Sequence, residues 1–326
     1  MPKLSAQAIL TMSSSIQEII QQPQTTDSSI FSHFPVEVVR LIFELSAISS
    51  DRTAASLVRV SKLVHSWVLP ILYETIVVEH PWRFLNATST LSSSSAGVAS
   101  QHNLASLVRN ICINASPAMP FPRIINVLLC LCSNLHNLYI NDTHAPFRYP
   151  TGCHQHLKHL HCGSWDSWLN HDFLSFDSLT HLRVDLAYNN GIDSSWVPLL
   201  PPSQSLPHLT HLAIATDMRS AVSELRLTAN FIRRILATRQ GITLLILTVW
   251  FCAPEESSSK LSQIFAASND PGRFCILTML DSPHHGSSAR EWQDEVRRGK
   301  SIWDKATAVI KRHEENGAWG IAIGTL

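Results

Sequence analysis

The densest group of residues able to do chemistry runs Cys153-His154-x-His156-x-x-His159-x-His161-Cys162. Four such ligands could close a tetrahedral zinc site. The same stretch argues against one. If residues 159–162 form a strand, alternation turns Cys162 to one face and His159 and His161 to the other. No Cys-x-x-Cys pair supports the site, so we expect no metal and no cofactor. A second spacing, His181-Leu-Arg-Val-Asp185, would suit a histidine general base. It lies inside one short apolar run with no companion motif. There is no Gly-x-Ser-x-Gly elbow, phosphate loop or dinucleotide fingerprint. These readings point away from an enzyme.

The histidines recur at a spacing that says what must hold them. The pattern apolar-x-x-apolar-x-apolar begins at Tyr73, Val108, Leu135, Leu157, Leu179, Leu209 and Ile242, with a weaker copy at Phe274-x-x-Leu277-x-Met279. From Val108 to Ile242 successive starts lie 27, 22, 22, 30 and 33 residues apart. The pattern resembles leucine-rich repeats, in which each unit contributes one short strand and a return segment, and neighbours stack to bury a shared core. The expected fold is an α/β solenoid, leucine-rich-repeat-like, with parallel strands and helical or irregular return segments. Pro122–Cys132 and Thr228–Thr238 have the spacing of helical returns.

Alternation then predicts an outward surface, the concave face. One column reads Asn110, Asn137, His159, His181, His211 and Leu244; the next reads Cys112, Tyr139, His161, Arg183, Ala213 and Ile246. Neighbouring strands lie about 4.8 Å apart, so His159, His181 and His211 should stack as a ladder. Asn137, Tyr139, His159, His161, His181, Arg183 and His211 are the candidate residues for binding another protein. Free imidazole titrates near pH ~6.5, so such a stripe would gain charge on mild acidification and favour an acidic or phosphorylated segment.

Ahead of the repeats stands a helical stretch opening Phe34-Pro35-Val36-Glu37-Val38-Val39 and continuing to Leu45. Pro35 suits a first helical position. Val38, Leu41, Ile42 and Leu45 form one apolar stripe; Val36, Val39 and Phe43 form a second. One stripe can be buried within a small unit, and the second, Val36, Val39 and Phe43, needs another surface. A second helix is expected from about Thr53 to Pro70. The run Phe-Pro-x-Glu-Val-x-x-x-Ile-Phe, then Ala-Ser-Leu-Val-x-Val-Ser-Lys, then Leu-Pro-Ile-Leu-Tyr-Glu-Thr-Ile, resembles an F-box of the kind common in fungal proteins. The usual Leu-Pro opening is Phe34-Pro35 here. The resemblance implies docking on a Skp-type adaptor, and through it on a cullin scaffold, with Pro35, Val36, Val38, Val39, Ile42 and Phe43 as contacts. It implies a receptor that brings an unknown client protein to a ubiquitin ligase.

Composition fits that picture. Of 326 residues, 45% are hydrophobic and 15% charged, with 25 basic against 25 acidic side chains. Such a chain is globular, and a net charge of zero does not provide the basic field that nucleic acid or anionic membrane attracts. The longest apolar stretch, about 12 residues from Ile242, falls short of the ~20 needed to span a bilayer. The first 25 residues do not have the form of a signal peptide, and seven scattered cysteines suit a reducing, cytoplasmic or nuclear setting. Four regions follow: a mobile segment 1–32, the F-box-like unit 33–78, the solenoid 79–285, and a capping helix and tail 286–326. In the last, Trp292, Val296, Gly299, Trp303, Ala306 and Ile310 share a face, which should close the solenoid's final open edge.

Overall fold

The computed structural model describes residues 34–78, 86–91, 103–114, 122–141, 155–162, 176–185, 206–217, 223–250, 264, 272–279, 292–293, 295–296, 299 and 301–316. The segment 1–32, the ligand candidates Cys153 and His154, and residues 317–326 of the tail lie outside them. The chain divides into two compact units at Val68/Leu69.

The first unit is helical. α1 spans Val36–Ser49, with Pro35 at the N-cap, one place before the position expected for it. The Pro35 carbonyl accepts the Val38 and Val39 amides at 3.0 and 3.2 Å. α2 covers Asp51–Leu57 and packs on α1. Where one helix was expected from Thr53 to Pro70, the chain breaks after Leu57 and restarts as α3, Lys62–Glu74. Ser61 causes the restart: its hydroxyl accepts the Val64 amide at 3.2 Å. His65 closes the turn, with Nδ1 3.0 Å from the Val58 carbonyl. Pro70 does not end α3; it lies within it, denying Ser66's carbonyl its usual amide partner.

The orientation of α1 reverses the expected one. The stripe expected to be buried points out: Val38 is 40% exposed, Leu41 54%, Ile42 42%, Leu45 58%. The turned-in positions are Val39 and Phe43, half-buried, and Ala47, the helix's buried residue. Geometry explains this: positions 39, 43 and 47 lie four apart, and the alanine at 47 gives a neighbouring helix room to approach.

The second unit is an eight-stranded, all-parallel sheet in sequence order, a solenoid-like α/β arrangement. Its strands are β1 Thr75–Val78, β2 Asn110–Asn114, β3 Asn137–Asn141, β4 His159–Cys162, β5 His181–Asp185, β6 His211–Asp217, β7 Leu244–Trp250 and β8 Phe274–Met279. One apolar row runs through the register Ile76, Ile111, Leu138, Leu160, Leu182, Leu212, Leu245 and Phe274. That row and the next, from Val78 through Ile214 to Ile276, build the main core. Here the last repeat departs from expectation: Phe274 and Ile276 hold the second and third apolar places, and Leu277 packs in the cluster on the other face. Short α4, Leu104–Leu107, precedes β2. Return helices α5, Pro122–Leu131, and α6, Ser223–Thr238, add Leu128, Leu129, Ile232 and Ile235 to the same core. Among the described residues no helix is long and apolar enough to cross a membrane.

Strands β3 to β7 start on the same device. The amides of Thr180 and His181 both donate to the Lys158 carbonyl at 3.0 Å; those of Thr210 and His211 both reach Thr180's, and Thr243 and Leu244 share Thr210's. Lys158 and His159 likewise share the His136 carbonyl, and His136 and Asn137 that of Arg109.

Candidate functional site

The opposite face of the sheet carries the polar columns. At its head, Asn110 Nδ2 donates to Thr75 Oγ1 at 3.0 Å and Asn137 Nδ2 to Asn110 Oδ1 at 2.6 Å. The same register position then holds His159, His181 and His211, with ring centroids 4.2 and 4.1 Å apart. The hydroxyls of Thr180 and Thr210 lie 3.2 Å from the preceding repeat's carbonyl. They also hold the following rings, at 2.8 Å from His181 Nδ1 and 2.7 Å from His211 Nδ1.

The second column is buried, contrary to the expected exposed stripe. Tyr139 is fully enclosed, and His161 and Arg183 are only 5% and 7% exposed. What covers them is the C-terminal segment, which was expected to cap an edge and be continuous. Residues 292–293 and 295–296 are helical, Gly299 turns with φ of 61°, and α7 begins afresh at Ile302 and runs to Asn316. Ser301 and Asp304 form a reciprocal cap. The Ser301 amide and hydroxyl donate to Asp304 Oδ2 at 2.9 and 2.7 Å, and the Asp304 amide returns to Ser301 Oγ at 3.2 Å. Ile302 and Ala306 then pack over Ala213, Leu244, Ile246, Cys275 and Leu277. Trp292 packs with Cys112 and Tyr139. The face thus becomes a second interior because its columns turn apolar after β5, where Ala213, Leu244 and Ile246 replace polar residues.

Beneath this cover lies a buried ionic group. His161 Nε2 is 2.9 Å from Asp185 Oδ2, and Arg183 Nε is 3.5 Å from Asp185 Oδ1. Tyr139 meets the His161 ring edge-on, at 4.4 Å between centroids. Burial works to raise the Asp185 carboxyl, but His161 and Arg183 hold it below its usual range. Burial keeps His161 neutral, against the pull of Asp185. The histidine that faces Asp185 is therefore His161 on the neighbouring strand. His181, four residues earlier on the same strand, is about 13 Å away along it, too far for the His181–Asp185 pair that the spelling offers. A buried ion group contributes little to stability against an apolar replacement, and perturbed titration in a cleft marks functional sites.

Between the ladder and α7 is a cavity of about 450 Å³. Asn137, His159, His161, His181, Arg183 and His211 line one wall; Trp292, Glu295, Ser301, Trp303, Asp304 and Thr307 line the other. Trp303 stands edge-on to His181 and His211, at 5.0 and 5.6 Å between centroids. Burial pushes His159 down to about 4, with His211 and Lys158 adding to the effect. Burial and the other two rings push His181 down to about 3, against Asp304. Burial also lowers His211. The expectation that mild acidification charges this ladder is therefore corrected: burial keeps His159 and His181 neutral well below pH ~6.5 and lowers His211 in the same direction.

The seven expected binding residues thus divide. Asn137, His159, His181 and His211 reach the cavity half-buried; Tyr139, His161 and Arg183 are enclosed. Sequence reasoning missed Asp185, Trp303 and Asp304 as neighbours. The Ser301-x-x-Asp304 cap was a signal that could have marked the start of α7. Cys162 joins the main core while His161 leaves on the other face, and His156 is an exposed residue stacked on His136 at 6.3 Å. Among the described residues no three potential ligands converge as a metal site. Comparison with protein-family models, with curated proteins and with solved structures gives no match.

Proposed function

We propose that the protein is the substrate-recognition (F-box) subunit of a cullin-type ubiquitin ligase. The F-box-like unit 33–78 docks the Skp-type adaptor and the solenoid receives a client. One observation carries the reading. The buried apolar residues of the first unit are Ala47, Ala54, Val64 and Val68, while nine large apolar side chains between Phe34 and Leu63 are exposed. So small a core beside so large an apolar surface suits a unit completed by a partner. Pro35, Val36, Val38 and Ile42 remain contact candidates on the exposed side; Leu41 and Leu45 join them, while Val39 and Phe43 face inward. The chain itself does no bond chemistry in this role; it raises the concentration of a client lysine beside a charged conjugating enzyme.

The test is co-purification of a Skp-type adaptor with the full chain. Wild type retains the adaptor, and the Leu41→Asp, Leu45→Asp double variant loses it while unfolding at the wild-type temperature. A wild type that captures no adaptor refutes the proposal. A second reading is favoured by the cavity, whose converging polar groups suit a small-ligand site built across repeats. On that reading the chain is a binding protein or an enzyme.

A further inference from the structure

We infer that the cavity beneath α7 binds an uncharged, polyhydroxylated ring, a saccharide of one or two pyranose units. The inference is independent of the adaptor reading. It rests on the small-ligand reading of the cavity, whose ligand class it names. It follows from how polar and apolar groups are divided between the walls. On the sheet side His159, His181 and His211 stand in one row, with ring centroids 4.2 and 4.1 Å apart. Asn137 continues the row at the same register position. On the other side the indoles of Trp292 and Trp303 stand with Val296 and Ile302. A pyranose has the same division. Its rim is made of hydroxyls, and its C–H faces pack against the electron-rich face of an indole. The volume, about 450 Å³, lies within the roughly 300–1,000 Å³ of small-ligand sites.

The rings select hydroxyls in particular. Burial keeps His159 and His181 neutral at pH 7.5 and lowers His211 in the same direction. The ladder therefore supplies no charge for the acidic or phosphorylated segment expected from the sequence. A neutral imidazole carries one N–H and one lone pair. The hydroxyls of Thr180 and Thr210 hold His181 and His211 at Nδ1, and a hydroxyl accepts a ring proton as readily as it donates its own. Nε2, at the tip of each ring, therefore takes either role. An ammonium only donates and a carboxylate only accepts, so each suits one of these states. A sugar hydroxyl does both and suits either. An apolar ring of the same size would strip water from these nitrogens and return no hydrogen bond. His161, 5% exposed, belongs to the same wall, and its Nδ1 is buried without a hydrogen-bond partner among the described residues. A ligand hydroxyl meets that need as well.

The experiment titrates the full chain, labelled with 5-fluorotryptophan, at pH 7.5 and follows it by 19F NMR, with Trp292→Phe and Trp303→Phe assigning two resonances. The probes are D-glucose, D-mannose, D-galactose, N-acetyl-D-glucosamine, maltose and cellobiose. The controls are cyclohexanol, n-butylammonium and butyrate. At least one sugar should saturate with Kd of about 1 mM and shift the Trp292 and Trp303 signals, and the controls should not. His159→Phe and His181→Phe each keep a ring but remove its nitrogens. Each should weaken that sugar about fivefold, as loss of one neutral hydrogen bond does, with the unfolding temperature showing that the array still stands. Should a variant not fold, the wild-type titration decides alone. A glycopeptide that binds more tightly than its free sugar assigns the site to a glycan on a client; equal or weaker binding assigns it to a free saccharide. No saturation by any sugar, shifts confined to other tryptophans, or affinity unmoved in both folded variants would overturn the inference. If a control saturates instead, the saccharide is wrong and the small-ligand reading stands; if nothing binds, both fall.

Discussion

The two units treat apolar surface in opposite ways. Among the described residues, nine of the ten exposed large hydrophobics belong to the helical unit; the sheet unit exposes Val127 alone. The sheet unit buries apolar rows on both faces, one under the return helices and one under α7. It even encloses an arginine, an aspartate and a histidine. Stability and recognition are therefore divided. The sheet supplies a finished interior with a cleft, and the helices supply an unfinished surface.

The comparison sharpens most where charge is enclosed. Asp185→Ala removes the carboxylate that faces both His161 and Arg183, and denaturant unfolding should show a loss of about 3–5 kcal/mol. A loss under about 1 kcal/mol would mean the group is not enclosed as described. Acidification comes next. His159, His181 and His211 have folded values below the unfolded value, so the unfolded state binds more protons between pH ~6.5 and their folded values. Stability of the sheet unit should be full above pH ~6.5 and fall as pH drops towards about 4 and about 3. Denaturation midpoints between pH 7.5 and 4.5 check this, and the slope should flatten in a His159→Gln, His181→Gln variant. Ser301→Ala removes the α7 cap and should cost about 1 kcal/mol, read by the same unfolding curves. The smallest effect belongs to the helical unit. Leu45→Asp should change stability by less than about 0.5 kcal/mol, because that side chain is mostly exposed. A large loss there would erase the contrast between the units.

The repeat array was legible because it depends on period alone. Strand alternation placed Leu138, Leu160 and Leu182 in one row and the three histidines in another without any knowledge of loops. What escaped depends on contacts remote in sequence. His161 meets Asp185 across a strand pair, and no spacing within one segment encodes that. The covering of the histidine face was half-written: Leu244 and Ile246 are apolar in otherwise polar columns, but nothing local says that Ile302 and Ala306 answer them. In α1 both apolar stripes were visible, and choosing between them required the alanine at 47, a small residue easily passed over beside leucines. Pro70 misled because a proline rule is statistical, and the chain accepts one missing bond to carry α3 through to β1.

The paired amides at the starts of β3 to β7 separate two kinds of change. Since two N–H groups of one repeat grip a single carbonyl of the one before, alignment is settled at the first residue of each of these five strands and owes nothing to the length of chain behind it. The aligned positions Asn110, Asn137, His159, His181, His211 and Leu244 keep step although 27, 22, 22, 30 and 33 residues separate them. Segments can thus be lengthened, trimmed or grafted at the rear of this scaffold while the row of rings at the front stays in place. New loops could accumulate there without cost to whatever the rings hold.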